Sequence, residues 1–179
     1  MTNIVRAKIA FSLSKRGRAF CFSFSKFSTR ICKVVVVMLS RFQHILIPLD
    51  FSEKNQAALD VGFELAVTNQ ARVTLLHIIE TIDLPDDPEV EQFVEHLQQR
   101  ADRELEFRAQ RFAEANVIVD WKTRVGKRSH EIVAYEIEHN IDLIVLSSHP
   151  VDPQRPGGGL ATLSYQVAIL ARCPVLLVK

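Results

Sequence analysis

The sequence predicts an α/β protein: a doubly wound, five-stranded parallel sheet in the order 3-2-1-4-5, with helices on both faces. Three observations predict it. Short apolar runs alternate with longer segments whose apolar residues recur every three or four positions, which is the pattern of strand–helix–strand units. The runs themselves, such as His44 to Leu49 and Leu143 to Leu146, lack polar alternation, as strands enclosed on both faces do. Right-handed crossovers leave few permitted orders, and the doubly wound one sets the first and fourth strands side by side at the switch point.

Each element has its own signal. His44 to Leu49 reads as the first strand and ends in Asp50. Ser52 is the expected N-cap of the next helix, where Ala57, Ala58, Val61, Leu65 and Ala66 recur at helical spacing until Asn69-Gln70. Arg72 to Ile79 is the second strand, and the prolines and paired acids of Thr81 to Pro88 mark a loop. Glu89 to Ala115 reads as a long charged helix, its outer face a solvated one. Val117 to Val125 alternates and so reads as a less enclosed third strand. Gly126 turns the chain into a helix over Ser129 to His139, with Ile132, Val133, Tyr135 and Ile137 as its apolar set. The fourth strand runs into small polar residues, Ser147, Ser148 and His149, then a Pro- and Gly-rich loop from Pro150 to Gly159. An amphipathic segment, Leu160 to Arg172, uses Leu163, Val167, Leu170 and Ala171 on one face, and Val175 to Val178 is the last strand. Strand, glycine loop, helix, strand is a βαβ unit whose loop lies where parallel sheets bind ligands. A glycine run entering a helix can turn backbone N–H groups toward an anion, so this stretch points to a phosphate-bearing ligand.

Charge divides the chain. Residues 1–41 carry nine Lys and Arg and no acid, which leaves 13 basic against 21 acidic residues in 42–179, a net of −8. An acidic domain lacks the basic footprint of a nucleic-acid binder. The leader, 1–41, is rich in Ser, Phe, Arg and Lys, and no fold is expected of it. A transit peptide, a secretory signal and translation upstream of a true start at Met38 compete as its explanation; we favour the last, because Met38 leads directly into a complete domain over 42–179. Its longest apolar run, Val34 to Leu39, is far short of the roughly 20 residues of a spanning helix, so no membrane association is expected. Cys21, Cys32 and Cys173 form an odd set without Cys-x-x-Cys, which suits a reducing, cytoplasmic setting.

Several stretches, in order and at the right separation, carry a resemblance. Ile47-Pro48-Leu49-Asp50-Phe51-Ser52-Glu53, Leu75-Leu76-His77-Ile78-Ile79, Val125-Gly126-Lys127, Asp142 to His149 and Cys173 to Val178 resemble the signatures of the universal stress protein family. The resemblance covers about residues 42–179. It implies a stress-response regulator or sensor that binds an adenine nucleotide, ATP or AMP with Mg²⁺, and pairs as a homodimer through the last strand, Pro174 to Lys179. Carried over by position, Pro48, Leu49, Asp50 and Ile78 would meet adenine and ribose. Leu146, Ser147 and His149 would line the phosphate path, and Thr162 and Leu163 would offer a hydroxyl and backbone N–H groups. The family's ATP-binding branch has Gly-x2-Gly-x9-Gly-(Ser/Thr) after the fourth strand. Here Ser147, Pro150 and Ala161 stand at the glycines, the spacer is one residue longer, and Thr162 keeps the hydroxyl. Gly157, Gly158 and Gly159 fall in the spacer, either as a substitute nest or as a loop tip.

Other readings stay open beside this one. The same fold with a degraded glycine motif could be a dimeric interaction module that holds no nucleotide. An adenylate-transferring enzyme is the third possibility, weakened by the lack of a Ser-Gly-Gly-type loop after the first strand. No dedicated general base is present, so any ATP hydrolysis should be slow and incidental. Ser52 lies in no Gly-x-Ser-x-Gly elbow, and a triad of Asp50, Ser52 and His149 finds no support in their spacing. Histidines and cysteines show no metal-ligand spacing. His44 and His77 sit in apolar strands and read as satisfied core or edge histidines, and Cys173 reads as packing.

Overall fold

The structure is a computed structural model that describes residues 9–13, 18–22, 37–38, 41–80, 88–148 and 162–179. The chain divides into two compact units, Met1–Arg41 and Phe42–Lys179. In the first, where the sequence led us to expect no fold, the described residues form an antiparallel sheet. Ile9–Leu13 pairs with Arg18–Phe22, which pairs in turn with Val37–Met38.

The second unit has the predicted plan. Its strands are β1 (His44–Leu49), β2 (Arg72–Ile79), β3 (Val119–Val125), β4 (Leu143–Ser147) and β5 (Val175–Val178). All neighbours are parallel, in the order β3-β2-β1-β4-β5. The helices are α1 (Asn55–Asn69), α2 (Pro88–Glu114), α3 (Arg128–His139) and α4 (Leu163–Leu170).

Alternation along the strands feeds two cores, one on each face of the sheet. Ile45, Ile47 and Leu49 of β1 join Val73, Leu75 and Val145 against α1 and α2, where Leu105 and Phe112 are buried. Leu46, Leu76, Ile78, Ile144 and Leu146 meet Ile132 and Tyr135 of α3 and Val167 of α4 on the other face. The central strand β1 is buried along its whole length, which is why it reads as an unbroken apolar run. β3, at the sheet's edge, is only partly covered, as its alternation predicted. The apolar sets of two helices are narrower than their periodicity suggested. Ile137 and Leu170 are exposed, because each helix packs on the sheet along one row of side chains and those two residues lie outside it.

Two turns aim the chain at the carboxyl edge of the sheet. Gly126 has φ near +149°, and its N–H donates to Ile79 O at 3.0 Å, so the chain leaving β3 turns back over the end of β2. That φ favours glycine, and a Cβ there would also press on the flexible Glu131 side chain at 3.0 Å. Phe51, just past β1, takes φ of 63°, a left-handed conformation that a bulky residue seldom adopts.

Candidate functional site

The crevice opens where β1 and β4 separate. Its floor is apolar: Pro48 and Leu49 from β1, Leu76 and Ile78 from β2, Leu146 from β4 and Ile132 from α3. Its rim is polar, and the cavity measures about 360 Å³. That lies within the roughly 300–1,000 Å³ of ordinary small-molecule sites, and an apolar floor with a few convergent polar groups is their usual construction.

Asp50 is the lining carboxylate among the described residues. The Ser52 N–H donates to its Oδ1 at 2.9 Å, and Asn55 Nδ2 donates to the same oxygen. Asn55 returns the favour: its Oδ1 accepts the Asp50 N–H at 3.1 Å, and its Nδ2 also reaches Ser52 Oγ at 2.9 Å. Asn55 is itself almost fully buried. Partial burial alone would raise the Asp50 pKa. The hydrogen bonds from Ser52, aided by the nearby Arg128 charge, outweigh that and hold it below the ordinary carboxylate value. Asp50 is therefore an ionised acceptor in a fixed orientation.

This clamp corrects one expectation from the sequence. Ser52 is not the N-cap of α1. The cap position is Lys54, in helical conformation and without a side-chain capping bond. The left-handed turn at Phe51 delays the helix by two residues. Ser52 instead supplies its carbonyl to the Asn55 N–H at 3.1 Å, and the first helical side chain reaches back to order the loop.

Phe51 is held between two partners. Its ring stacks on His77 with centroids 4.2 Å apart, and the Arg108 guanidinium lies 5.1 Å from its centroid on α2's side. His77 Nδ1 donates to Leu49 O at 2.8 Å, which ties the ends of β1 and β2 together. Burial, with Arg128 nearby, pushes the His77 pKa below its usual value, so the ring is neutral at pH 7. His77 is thus satisfied, as the sequence suggested, and it also lines the crevice.

Across the crevice, hydroxyls gather where β4 hands over to α4. Ser148 Oγ and Thr162 Oγ1 each lie 3.3 Å from Ser164 Oγ. Thr162 is the extended N-cap residue of α4, and Leu163 is its first helical residue. The amino ends of α1, α3 and α4 all border the cavity, through Lys54 and Asn55, Arg128, and Thr162 and Leu163. Three helix N-termini and two cationic side chains favour an anion there.

Every residue that the sequence singled out and the structure describes lies in this one lining: Pro48, Leu49, Asp50, Ile78, Leu146, Ser147, Thr162 and Leu163. His149, Gly157, Gly158 and Gly159 lie outside the described residues. Sequence reasoning missed Asn55, Arg128 and Ser164. Arg128 had a usable signal, since it lies two residues past the Gly126 turn that delivers it. Among the described residues no three His, Cys, Asp or Glu side chains could share a metal ion, and no helix is long and apolar enough to cross a membrane. Ser52 Oγ accepts from the Asn55 amide at 2.9 Å, and no histidine among the described residues is bonded to it.

Comparison with known proteins agrees with this architecture. The sequence model of the universal stress protein family matches residues 41–179. The chain is 28% identical to universal stress protein YxiE of Bacillus subtilis over 148 residues, which covers 77% of this chain and 99% of that protein. Among solved structures, universal stress protein UspA from Lactobacillus plantarum is 25% identical, with a TM-score of 0.64 over 78% of this chain and 99% of that one. A universal stress protein from Archaeoglobus fulgidus, solved in complex with dAMP, shares the fold at 15% identity, with a TM-score of 0.55 over 78% of this chain and 99% of that one.

Proposed function

Because the chain belongs to the universal stress protein family, we propose that it is a stress-response regulator or sensor that binds an adenine nucleotide, ATP or AMP, in the crevice between β1 and β4. One observation carries this reading. Eight residues chosen from sequence for contact with a nucleotide line a single cavity of about 360 Å³, with an apolar floor and an electropositive rim. The dAMP complex of the Archaeoglobus relative supports it at the level of the fold.

In this reading the base lies on Pro48, Leu49, Leu76 and Ile78, where its faces leave water. The ionised Asp50 accepts from a ribose hydroxyl. The phosphates meet the hydroxyl cluster and the amino end of α4. Mg²⁺ would accompany the phosphates, with Asp50 as the lining carboxylate able to meet it directly or through water. In this reading the site's residues bind and orient the nucleotide, and any ATP hydrolysis is slow and incidental. A cytoplasmic setting belongs to the same proposal and rests on the cysteine pattern.

A homodimer through β5 completes the proposal. β5 is a sheet edge, and Tyr165, Ile169, Leu170 and Leu176 on or near it are exposed apolar residues. That surface also supports the second reading, an interaction module without nucleotide. Calorimetric titration of the full chain with AMP, and with ATP and Mg²⁺, separates the two. Saturable heat supports the sensor; no heat and no thermal shift favours the module.

A further inference from the structure

We propose that Arg128 is the specificity-determining residue of the crevice, its guanidinium forking a phosphate so that the site selects phosphorylated adenosines over adenosine. The ligand in this inference rests on the nucleotide reading above; the anion rests on Arg128 alone. Arg128 is the first residue of α3 and lines the cavity, so its side chain and the helix's own N-terminal field act on the same space. Its Nε meets Glu80 Oε2 at 3.2 Å. Its two Nη atoms have no hydrogen-bond partner among the described residues. A guanidinium ion-paired at Nε leaves its two Nη groups as a planar fork, the geometry that matches two phosphate oxygens.

Two further observations support the assignment. Glu80 and Arg128 are both about half exposed, and an ion pair of that kind contributes little, so it orients the fork without competing strongly for it. Arg128 also lies close enough to Asp50 and His77 to lower the pKa of each, so its charge is felt at the β1–β2 side of the crevice. Ser147, Pro150 and Ala161 stand where the family's ATP-binding branch has the glycines of a backbone cradle. A side-chain fork from α3 supplies phosphate contacts that such a cradle would otherwise make.

The test is calorimetry on the full chain and on Arg128→Gln and Arg128→Lys, with adenosine, AMP and inorganic pyrophosphate as probes. The wild type should bind AMP at least about tenfold more tightly than adenosine, roughly the factor that one charge-assisted hydrogen bond supplies. Arg128→Gln should erase that advantage and leave adenosine affinity unchanged, and Arg128→Lys should restore only part of it. An AMP advantage that survives Arg128→Gln overturns the inference. So does an equal loss for AMP and adenosine, which would place the guanidinium against the base. If neither adenosine nor AMP binds the wild type, the nucleotide reading fails, and pyrophosphate decides for Arg128. Thermal stabilisation by pyrophosphate that Arg128→Gln abolishes upholds the anion fork; no stabilisation of the wild type overturns it. Arg128 is exposed enough that circular dichroism should show an unchanged fold in both variants.

Discussion

Asn55 makes the loop after β1 a rigid part of the site. It is 2% exposed and exchanges hydrogen bonds with the main chain and side chain of Asp50. Asn55→Ala would leave the Asp50 N–H without its acceptor and free the carboxylate to turn. The expected cost is about 1–3 kcal/mol of stability, as for other buried groups that lose a partner, together with weaker nucleotide binding. Urea denaturation and calorimetry on the same variant check the two effects. Cys173 is the opposite kind of residue. Burial, with Glu136 nearby, pushes its thiol up to about 11, so it stays protonated and inert at neutral pH. Peptide mapping after iodoacetamide at pH 7.5 should find Cys173 largely unmodified in the folded chain and modified once urea unfolds it. At this scale the sequence showed which residue types end the strands, but not their partners. Asp50 was visible because an acid closes an apolar run. Asn55 was not, because it acts across a turn whose geometry depends on φ at Phe51, and Arg128 was signalled only through the Gly126 turn that precedes it.

The seam between α1 and β1 shows how tightly the elements are set. A Cβ on Gly62 would overlap Ile47 Cδ1, and Ile47 is fully buried. Alanine in a helix gains about 1 kcal/mol over glycine, whereas overpacking a closed core costs about 1–3 kcal/mol, so Gly62→Ala should be net destabilising. Ile47→Val removes the offending methyl and alone should cost about 0.5–1.5 kcal/mol. Combined, the two changes should cost less than their sum, and chemical denaturation of all four species in the double-mutant cycle measures that coupling. At the other end of β1, His44 is buried, with Nε2 2.8 Å from Thr74 Oγ1 and Nδ1 3.3 Å from His139 O. Burial, reinforced by Arg72, lowers its pKa below 6.5. The unfolded chain then binds a proton more readily than the native one, so stability is full above about pH 6.5 and falls as pH drops toward the depressed native value. Urea midpoints should therefore be lower at pH 5.5 than at pH 7.5, and His44→Asn should narrow that difference. Helix and strand order were legible because their periods, 3.6 and 2, are local. The start of α1 was not, because Ser52 has the chemistry of a cap while the left-handed Phe51 sends the chain elsewhere first.

For the molecule as a whole, the sheet order was legible because chirality allows so few arrangements of alternating strands and helices. The crevice followed from the order: once β1 and β4 are neighbours, Asp50 and Ser147 must border one opening. What the sequence could not supply was the third wall, since α3 reaches the crevice only through the Gly126 turn. The edge at β5 carries the prediction for assembly. Light scattering after size exclusion should give twice the 20.3 kDa chain mass, and Leu176→Asp should shift it toward a single chain. A monomeric wild type would remove the dimer from the account.

The claim on which the rest depends is that the β1–β4 crevice is an adenine-nucleotide site with Asp50 at its centre. Titration of the full chain with AMP by calorimetry, beside Asp50→Ala, tests it most directly. The account predicts saturable binding at one site per chain that the substitution abolishes while the fold is retained. Undiminished binding by Asp50→Ala, or no binding by the wild type, would contradict it.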